Sequence, residues 1–202
     1  MEKKWSEKNW SDYYKALEGK PPTPTLVKAL DYFENNLDLK KTSIDIGCGP
    51  GIDVLELLNR NFKIIAFDKE KEAIDILSKR FREHMGKKIK AEISTMEECI
   101  LPRTSLINAS FSLPFCHPDY FMSLWMKIEK SLPTKGIFCG QLFGEEDDWA
   151  VKNDMTFHSR HDIKKLFKNF EFIIFDENNS LGKISTGEEK RWHVFHIVAT
   201  KL

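Results

Sequence analysis

An α/β fold is what this 202-residue sequence predicts: a doubly wound, seven-stranded sheet, mostly parallel with the last strand antiparallel, preceded by N-terminal helices. Three observations predict it. Short β-rich runs alternate with segments of helical periodicity, the pattern of a parallel sheet covered on both faces. The first such run ends in a cluster of glycines where a helix begins. The last two runs have no helix between them, so they pair antiparallel, because a parallel pair needs a crossover.

The elements follow in order. Residues 5–18 set Trp5, Trp10, Tyr13, Tyr14 and Leu17 at the spacing of one helix face. Gly19 and Pro21-Pro22-Thr23-Pro24 end that helix. Residues 25–37 predict a second helix with Leu26, Ala29, Leu30 and Phe33 on one stripe. Thr42–Ile46 reads as the first strand, and residues 52–60 resume helical spacing through Ile52, Leu55 and Leu58. Phe62–Phe67 is a second strand ending at Asp68, followed by a helix over 70–84 with Ala73, Ile74, Leu77 and Phe81 inward. Lys88–Ile93, Ser105–Phe111 and Gly136–Phe143 are the third to fifth strands. A helix over 118–132 carries Phe121, Leu124, Trp125 and Ile128, and a short helix over 159–168 is N-capped by Ser159. Phe170–Phe175 and Trp192–Thr200 are the last strands, separated by a polar stretch. The chain reads as one domain, with 1–40 as an N-terminal helical cap and 41–202 as a Rossmann-like core.

Composition narrows the partners. The chain is 41% hydrophobic and 31% charged, with none of the low-hydrophobicity, high-net-charge bias of disorder. Lys plus Arg and Asp plus Glu stand at 31 each, which argues against nucleic acid as a partner. Cys48, Cys99, Cys116 and Cys139 form no C-x-x-C pair, so they are expected as reduced, buried thiols with no metal site. No run approaches the roughly 20 apolar residues that span a bilayer. MEKKWSEKNW is no secretory signal. A cytoplasmic protein with no membrane partner, monomeric or homodimeric, is expected.

The most informative segment is Asp45-Ile46-Gly47-Cys48-Gly49-Pro50-Gly51. Glycines at a strand-to-helix turn let a ligand lie against bare backbone. A dinucleotide site wants G-x-G-x-x-G, but Ile52 stands where its third glycine belongs. The spacing present is G-x-G-x-G, with an acid two residues upstream. It resembles motif I of class I methyltransferases. That resemblance implies S-adenosylmethionine as cofactor, wrapped by Asp45, Gly47, Cys48, Gly49 and Gly51. Asp68, with Lys69 beside it, closes the second strand about 20 residues on, where such folds place a carboxylate on ribose hydroxyls. Thr95-Met96-Glu97-Glu98, after the third strand, is expected against the adenine; Thr95 and Glu98 also read as a capping box.

Substrate residues are expected at the carboxyl ends of the strands. Asn108 is placed to orient cofactor or substrate and is a catalytic candidate, with Ser110 and Phe111 beside it. From the fifth strand come Gln141, the acids Glu145 to Asp148, and Trp149 as an aromatic wall. The acid run reads either as a solvated loop or as a seat for a cationic substrate. An antiparallel last strand brings Trp192 and His193 to the rim, His193 as a general base with an ordinary pKa near 6.5. His158 and His161 form a polar cluster that would close over the pocket, and the N-terminal helices are expected as a lid.

Several segments together resemble one branch of these enzymes, the small bacterial tellurite-resistance-like methyltransferases. They are Tyr13-Tyr14, Asp45-x-Gly47-Cys48-Gly49-x-Gly51, Asn108-Ala-Ser-Phe, Gly140-Gln-Leu-Phe-Gly144, Met155-Thr-Phe-His158 and Trp192-His-Val-Phe-His196. The resemblance spans nearly the whole chain. It implies methyl transfer to a small-molecule acceptor and a seven-stranded sheet, and it carries no substrate with it. The alternatives are a catalytically silent cofactor-binding or interaction module and an NAD(P)-dependent oxidoreductase.

Overall fold

The structure, a computed structural model, describes residues 10–36, 38–184 and 187–202. Two helices, α1 (Ser11–Leu17) and α2 (Pro24–Asn36), lead into β1 (Thr42–Ile46). Then come α3 (Ile52–Asn59), β2 (Lys63–Asp68), α4 (Lys71–Arg80), β3 (Ile89–Ile93) and β4 (Leu106–Ala109). α5 (Pro118–Ser131), β5 (Ile137–Gly144), β6 (Phe157–His158), α6 (Arg160–Leu166), β7 (Phe170–Lys183) and β8 (Glu189–Lys201) complete the order. The sheet runs β3-β2-β1-β4-β5-β8-β7, all parallel except β8, which is antiparallel to both neighbours. The expected seven strands are all present. The two-residue β6 is an eighth, parallel to β5 at Phe143–Gly144, beyond the point where β4 stops pairing.

Alternation along the strands sends side chains to two separate cores. Ile44 and Ile46 face α5 and α6, where Phe121, Leu124, Trp125, Ile128 and Phe167 are buried. On the other face α2, α3 and α4 bury Leu26, Leu30, Phe33, Val54, Leu57 and Leu77. Each such side chain contributes roughly 1.5–3 kcal/mol by leaving water. The stripes expected on α2, α4 and α5 are those buried. Trp5 and Leu37, assigned to helices from the sequence, lie outside the described residues.

Three elements differ from expectation. The buried face of α3 carries Asp53, Val54 and Leu57, and Leu55 is exposed. A rotation of the helix turns the acid inward, because Asp53 has partners there. β4 ends at Ala109, and Phe111 takes a left-handed turn with φ 51°. The polar stretch after Phe175 is not a loop: β7 and β8 pair from Phe170–Lys201 to Lys183–Glu189. Beyond Val194, β8 has left β5 and pairs only with β7; most of this ribbon is exposed and polar, with Lys190 and His193 buried.

Two outcomes test this packing. Gly140 lies so close to β4 that an added Cβ would meet the Ala109 carbonyl oxygen at 2.5 Å. Gly140→Ala is expected to cost roughly 1–3 kcal/mol, read from the urea midpoint. His158 packs on Phe121 with ring centroids 4.6 Å apart, and burial pushes it down to about 4. The unfolded chain therefore takes up this proton first as pH falls. Stability present above pH 6.5 is lost towards about pH 4, by at most roughly 3 kcal/mol. His158→Phe should flatten the pH dependence of the urea midpoint across that window.

Candidate functional site

A cavity of about 940 Å³ opens at the carboxyl ends of the parallel strands. Its floor is the loop after β1. The Gly47 and Cys48 N–H groups donate to the Phe67 carbonyl at 2.9 and 3.0 Å, folding the loop back onto β2. The Gly49 N–H donates to Asp68 Oδ2 at 2.9 Å, and the Glu70 N–H to Asp68 Oδ1 at 3.0 Å. Gly47 has φ +68°, and a Cβ there would sit 2.5 Å from that of Ser112. Only glycine lets β1 turn this close to the segment after β4. Thr95, Met96, Glu97 and Lys69 line the same end of the cavity. Thr95 Oγ1 accepts the Glu98 N–H at 3.3 Å, which is half of the expected capping box, within a turn and not at the start of a helix.

Two buried polar atoms in the lining residues lack hydrogen-bond partners among the described residues: Asp45 Oδ2 and Ser112 Oγ. A buried polar atom left so is costly. These two fit a ligand that brings polar hydrogens. Burial, and then the nearby Asp53, push the Asp45 carboxyl well above the usual carboxylate range. Burial also raises Asp68, with the Glu70 and Gly49 N–H groups opposing it. The Cys48 thiol, buried beside these acids, is pushed up as well and is no thiolate nucleophile.

The N-terminal segment roofs the cavity. Trp10, Tyr13, Tyr14 and Leu17 all line it, and the Tyr14 ring packs over Gly49. Ser11 Oγ donates to Glu72 Oε1 at 2.6 Å, fastening α1 to α4. The proline-rich strap below is held by Asp53, which accepts the Thr23 N–H at 2.8 Å and the Thr23 hydroxyl at 2.9 Å. Asp53 was missed in the sequence. Its signal was an acid between hydrophobic residues on a helix that follows the glycine loop.

The other end of the cavity is lined by Ser110, Phe111, Phe115, Phe143, Trp149 and Trp192. Ser110, Phe111 and Trp149 are thus where the sequence put them. Several expected residues stand behind the wall instead. Asn108 is fully buried and does not line the cavity; its Nδ2 donates to Asp45 Oδ1 at 2.8 Å and Asp53 Oδ2 at 3.0 Å. Gln141, also fully buried, accepts the Phe111 N–H at 3.0 Å and donates to Thr25 Oγ1 at 2.9 Å. It props the strained Phe111 turn. His193 is buried against Gly144, with Nδ1 accepting the Glu146 N–H at 3.1 Å and Nε2 at 2.9 Å from Glu177 Oε1. Both ring nitrogens are engaged away from the cavity, so His193 does not serve as its general base. Gly51 faces Leu77 and Phe81 of α4, where a Cβ would meet Phe81 at 2.9 Å. His158 and His161 do not close over the pocket: one packs on Phe121 and the other is exposed.

The acid run does not line the cavity: Glu145, Glu146 and Asp148 are exposed, and only Asp147 is buried. Asp147 is buried in an ion pair with Lys190 and accepts the Trp149 and His193 N–H groups. Asp148 accepts the Arg191 N–H at 2.7 Å, and Glu146 accepts from Asn179 at 3.0 Å. Among the described residues no helix is long and apolar enough to cross a membrane, and no cluster of His, Cys, Asp and Glu could hold a metal ion.

The sequence matches no protein-family model and no curated protein. The structure, by contrast, is similar to many solved ones. TehB from Haemophilus influenzae superposes with a TM-score of 0.72 at 15% identity, over 87% of this chain and 62% of that one. The chain therefore spans about three fifths of the length of TehB. Magnesium protoporphyrin IX methyltransferase (ChlM) from Synechocystis PCC 6803, with bound S-adenosylmethionine, gives 0.69 at 9% identity over 97% of this chain and 92% of that one. The Burkholderia thailandensis 1,6-didemethyltoxoflavin-N1-methyltransferase, with bound 1,6-didemethyltoxoflavin and S-adenosylhomocysteine, gives 0.65 at 17% over 95% and 84%. The chain thus has the fold of these S-adenosylmethionine-dependent methyltransferases.

Proposed function

We propose that this chain is an S-adenosylmethionine-dependent methyltransferase acting on a small-molecule acceptor. The observation that carries the reading is the glycine loop tied to Asp68 at the floor of a roofed cavity. At about 940 Å³ that cavity has room for more than one ligand; small-molecule sites run from roughly 300 to 1,000 Å³. Asp68 still has lone pairs for ribose hydroxyls beyond the two backbone donors it accepts. Asp45 and Ser112 have unmet polar atoms for the amino-acid part of the cofactor. Met96, with Thr95 and Glu97, lies where the adenine would pack.

S-adenosylmethionine, when bound, supplies an electrophilic methyl group on a sulfonium. While Asp45, Asp68 and the glycine loop hold the cofactor, that methyl would pass to an acceptor heteroatom, with S-adenosylhomocysteine as the leaving group and the acceptor's proton going to solvent. The residues of this chain hold the two ligands in line and exclude water, and such alignment alone lowers a barrier by roughly 7–11 kcal/mol in favourable cases. α1 and the strap supply the exclusion, since their side chains form the roof. Asn108 and Gln141 act one layer out, on the residues that touch ligand, while Asp53 itself lines the cavity.

Calorimetry with S-adenosylhomocysteine tests the reading. Binding is expected, and Asp68→Ala should weaken it at least tenfold; no binding of either S-adenosylmethionine or its product overturns the proposal. NADH is expected not to bind. Asp53→Ala leaves the Thr23 N–H and the Asn108 amide short of a partner, a loss of roughly 1–3 kcal/mol. Its melting temperature should fall, and trypsin should cut faster after Lys15 as α1 loosens.

A further inference from the structure

The end of the cavity away from the glycine loop is built from rings that hold one another at an angle. Trp10 of the roof meets Phe115 at 5.1 Å between centroids. Phe115 meets Phe143 at 6.3 Å, Phe143 meets Trp192 at 5.8 Å, and Trp192 meets Trp149 at 5.4 Å. None of these contacts is a parallel stack. A cation stands against three of the rings, with Phe143 at 5.5 Å the farthest. Lys190 Nζ lies 3.9 Å from the Trp149 centroid and 4.1 Å from that of Trp192. It is ion-paired with Asp147, and the side chains of both are buried, at 6% and 0% exposure. Neither residue lines the cavity. The lysine therefore uses the negative potential of the ring faces from within the protein, and its own charge is answered by Asp147.

This arrangement selects among acceptors. A cation would share the cavity with the cofactor's sulfonium and would meet rings already engaged by Lys190. The acids Glu145 to Asp148 do not line the cavity, although Asp154 does. A saturated polar molecule would gain nothing from the ring faces. A flat, uncharged ring system fits both the shape and the charge, because aromatic groups favour offset or edge-on contact with other rings.

Resting on the methyltransferase reading above, we propose that the acceptor is an uncharged aromatic molecule that packs against Trp149 and Trp192, and that Lys190 is the positioning residue that fixes those two rings. The test uses the full chain saturated with S-adenosylhomocysteine and three probes of matched size: 2-naphthol, 2-naphthylmethylamine as its cation, and decahydro-2-naphthol. Calorimetry is expected to show 2-naphthol binding at least tenfold more tightly than the other two. Trp149→Ala and Trp192→Ala should each weaken 2-naphthol at least tenfold, and Trp192→Phe by less than threefold. Lys190→Met combined with Asp147→Asn should weaken it about fivefold or more, while Lys190→Arg, which keeps the cation over the rings, should restore it to within threefold. S-adenosylhomocysteine affinity should stay within twofold throughout. Equal binding of the three probes, or preference for the cation, overturns the inference, and that ranking on the unaltered protein requires no variant to fold. Unchanged 2-naphthol affinity in both tryptophan variants overturns it too. Failure of the unaltered protein to bind S-adenosylhomocysteine would instead sink the methyltransferase reading, so the two failures are distinct.

Discussion

Two carboxylates, Asp45 on β1 and Asp53 on α3, converge on the amide of Asn108 on β4. All three side chains are buried, and the amide's two donors go to the two acids. Burying carboxylates is expensive unless they are hydrogen-bonded. The bridge makes this tolerable and ties three elements at one point. From Asp53 the chain of contacts runs to Thr23 and so to the strap and the roof. From Asp45 it runs to the cavity, where one oxygen still lacks a partner. Floor and roof of the site thus share one buried amide.

The opposite end uses a second strut of the same kind. Gln141 holds the Phe111 N–H and reaches Thr25 at the start of α2. An aromatic residue with positive φ is strained, and here the strain lies where a ring is turned into the cavity. Two amides, Asn108 and Gln141, therefore anchor the two halves of the pocket to the helices that precede the sheet. Neither touches the space they organise.

Much of this was legible in the sequence because it rests on local rules. The glycine loop and the acid closing β2 are short-range patterns, and the stripes of α2, α4 and α5 are plain helical periodicity. What escaped depends on tertiary partners. Asp53 breaks the hydrophobic pattern of α3, so the stripe was placed on Ile52, Leu55 and Leu58, a different face of the helix. His193 was placed at the rim by strand alternation, but Gly144 leaves a hollow that admits its ring, and Glu177 across the ribbon takes the free nitrogen. Of the acids after β5, Glu145, Glu146 and Asp148 are exposed as a solvated run would be, but the burial of Asp147 was hidden because its partner, Lys190, stands more than 40 residues on. The ribbon of β7 and β8 was missed because its buried residues, Lys190 and His193, are polar, so it shows no apolar alternation to read.

β8 is the last strand in the chain, yet it lies between β5 and β7. During synthesis β7 emerges first and has no place in the sheet until its partner arrives. Until then the edge of β5 is bare, and the Trp149 side of the pocket lacks both Trp192 and Lys190. Loop closure of this kind is slow, and an exposed strand edge in the meantime invites wrong pairing. The aromatic half of the site is therefore assembled in the same event that completes the sheet.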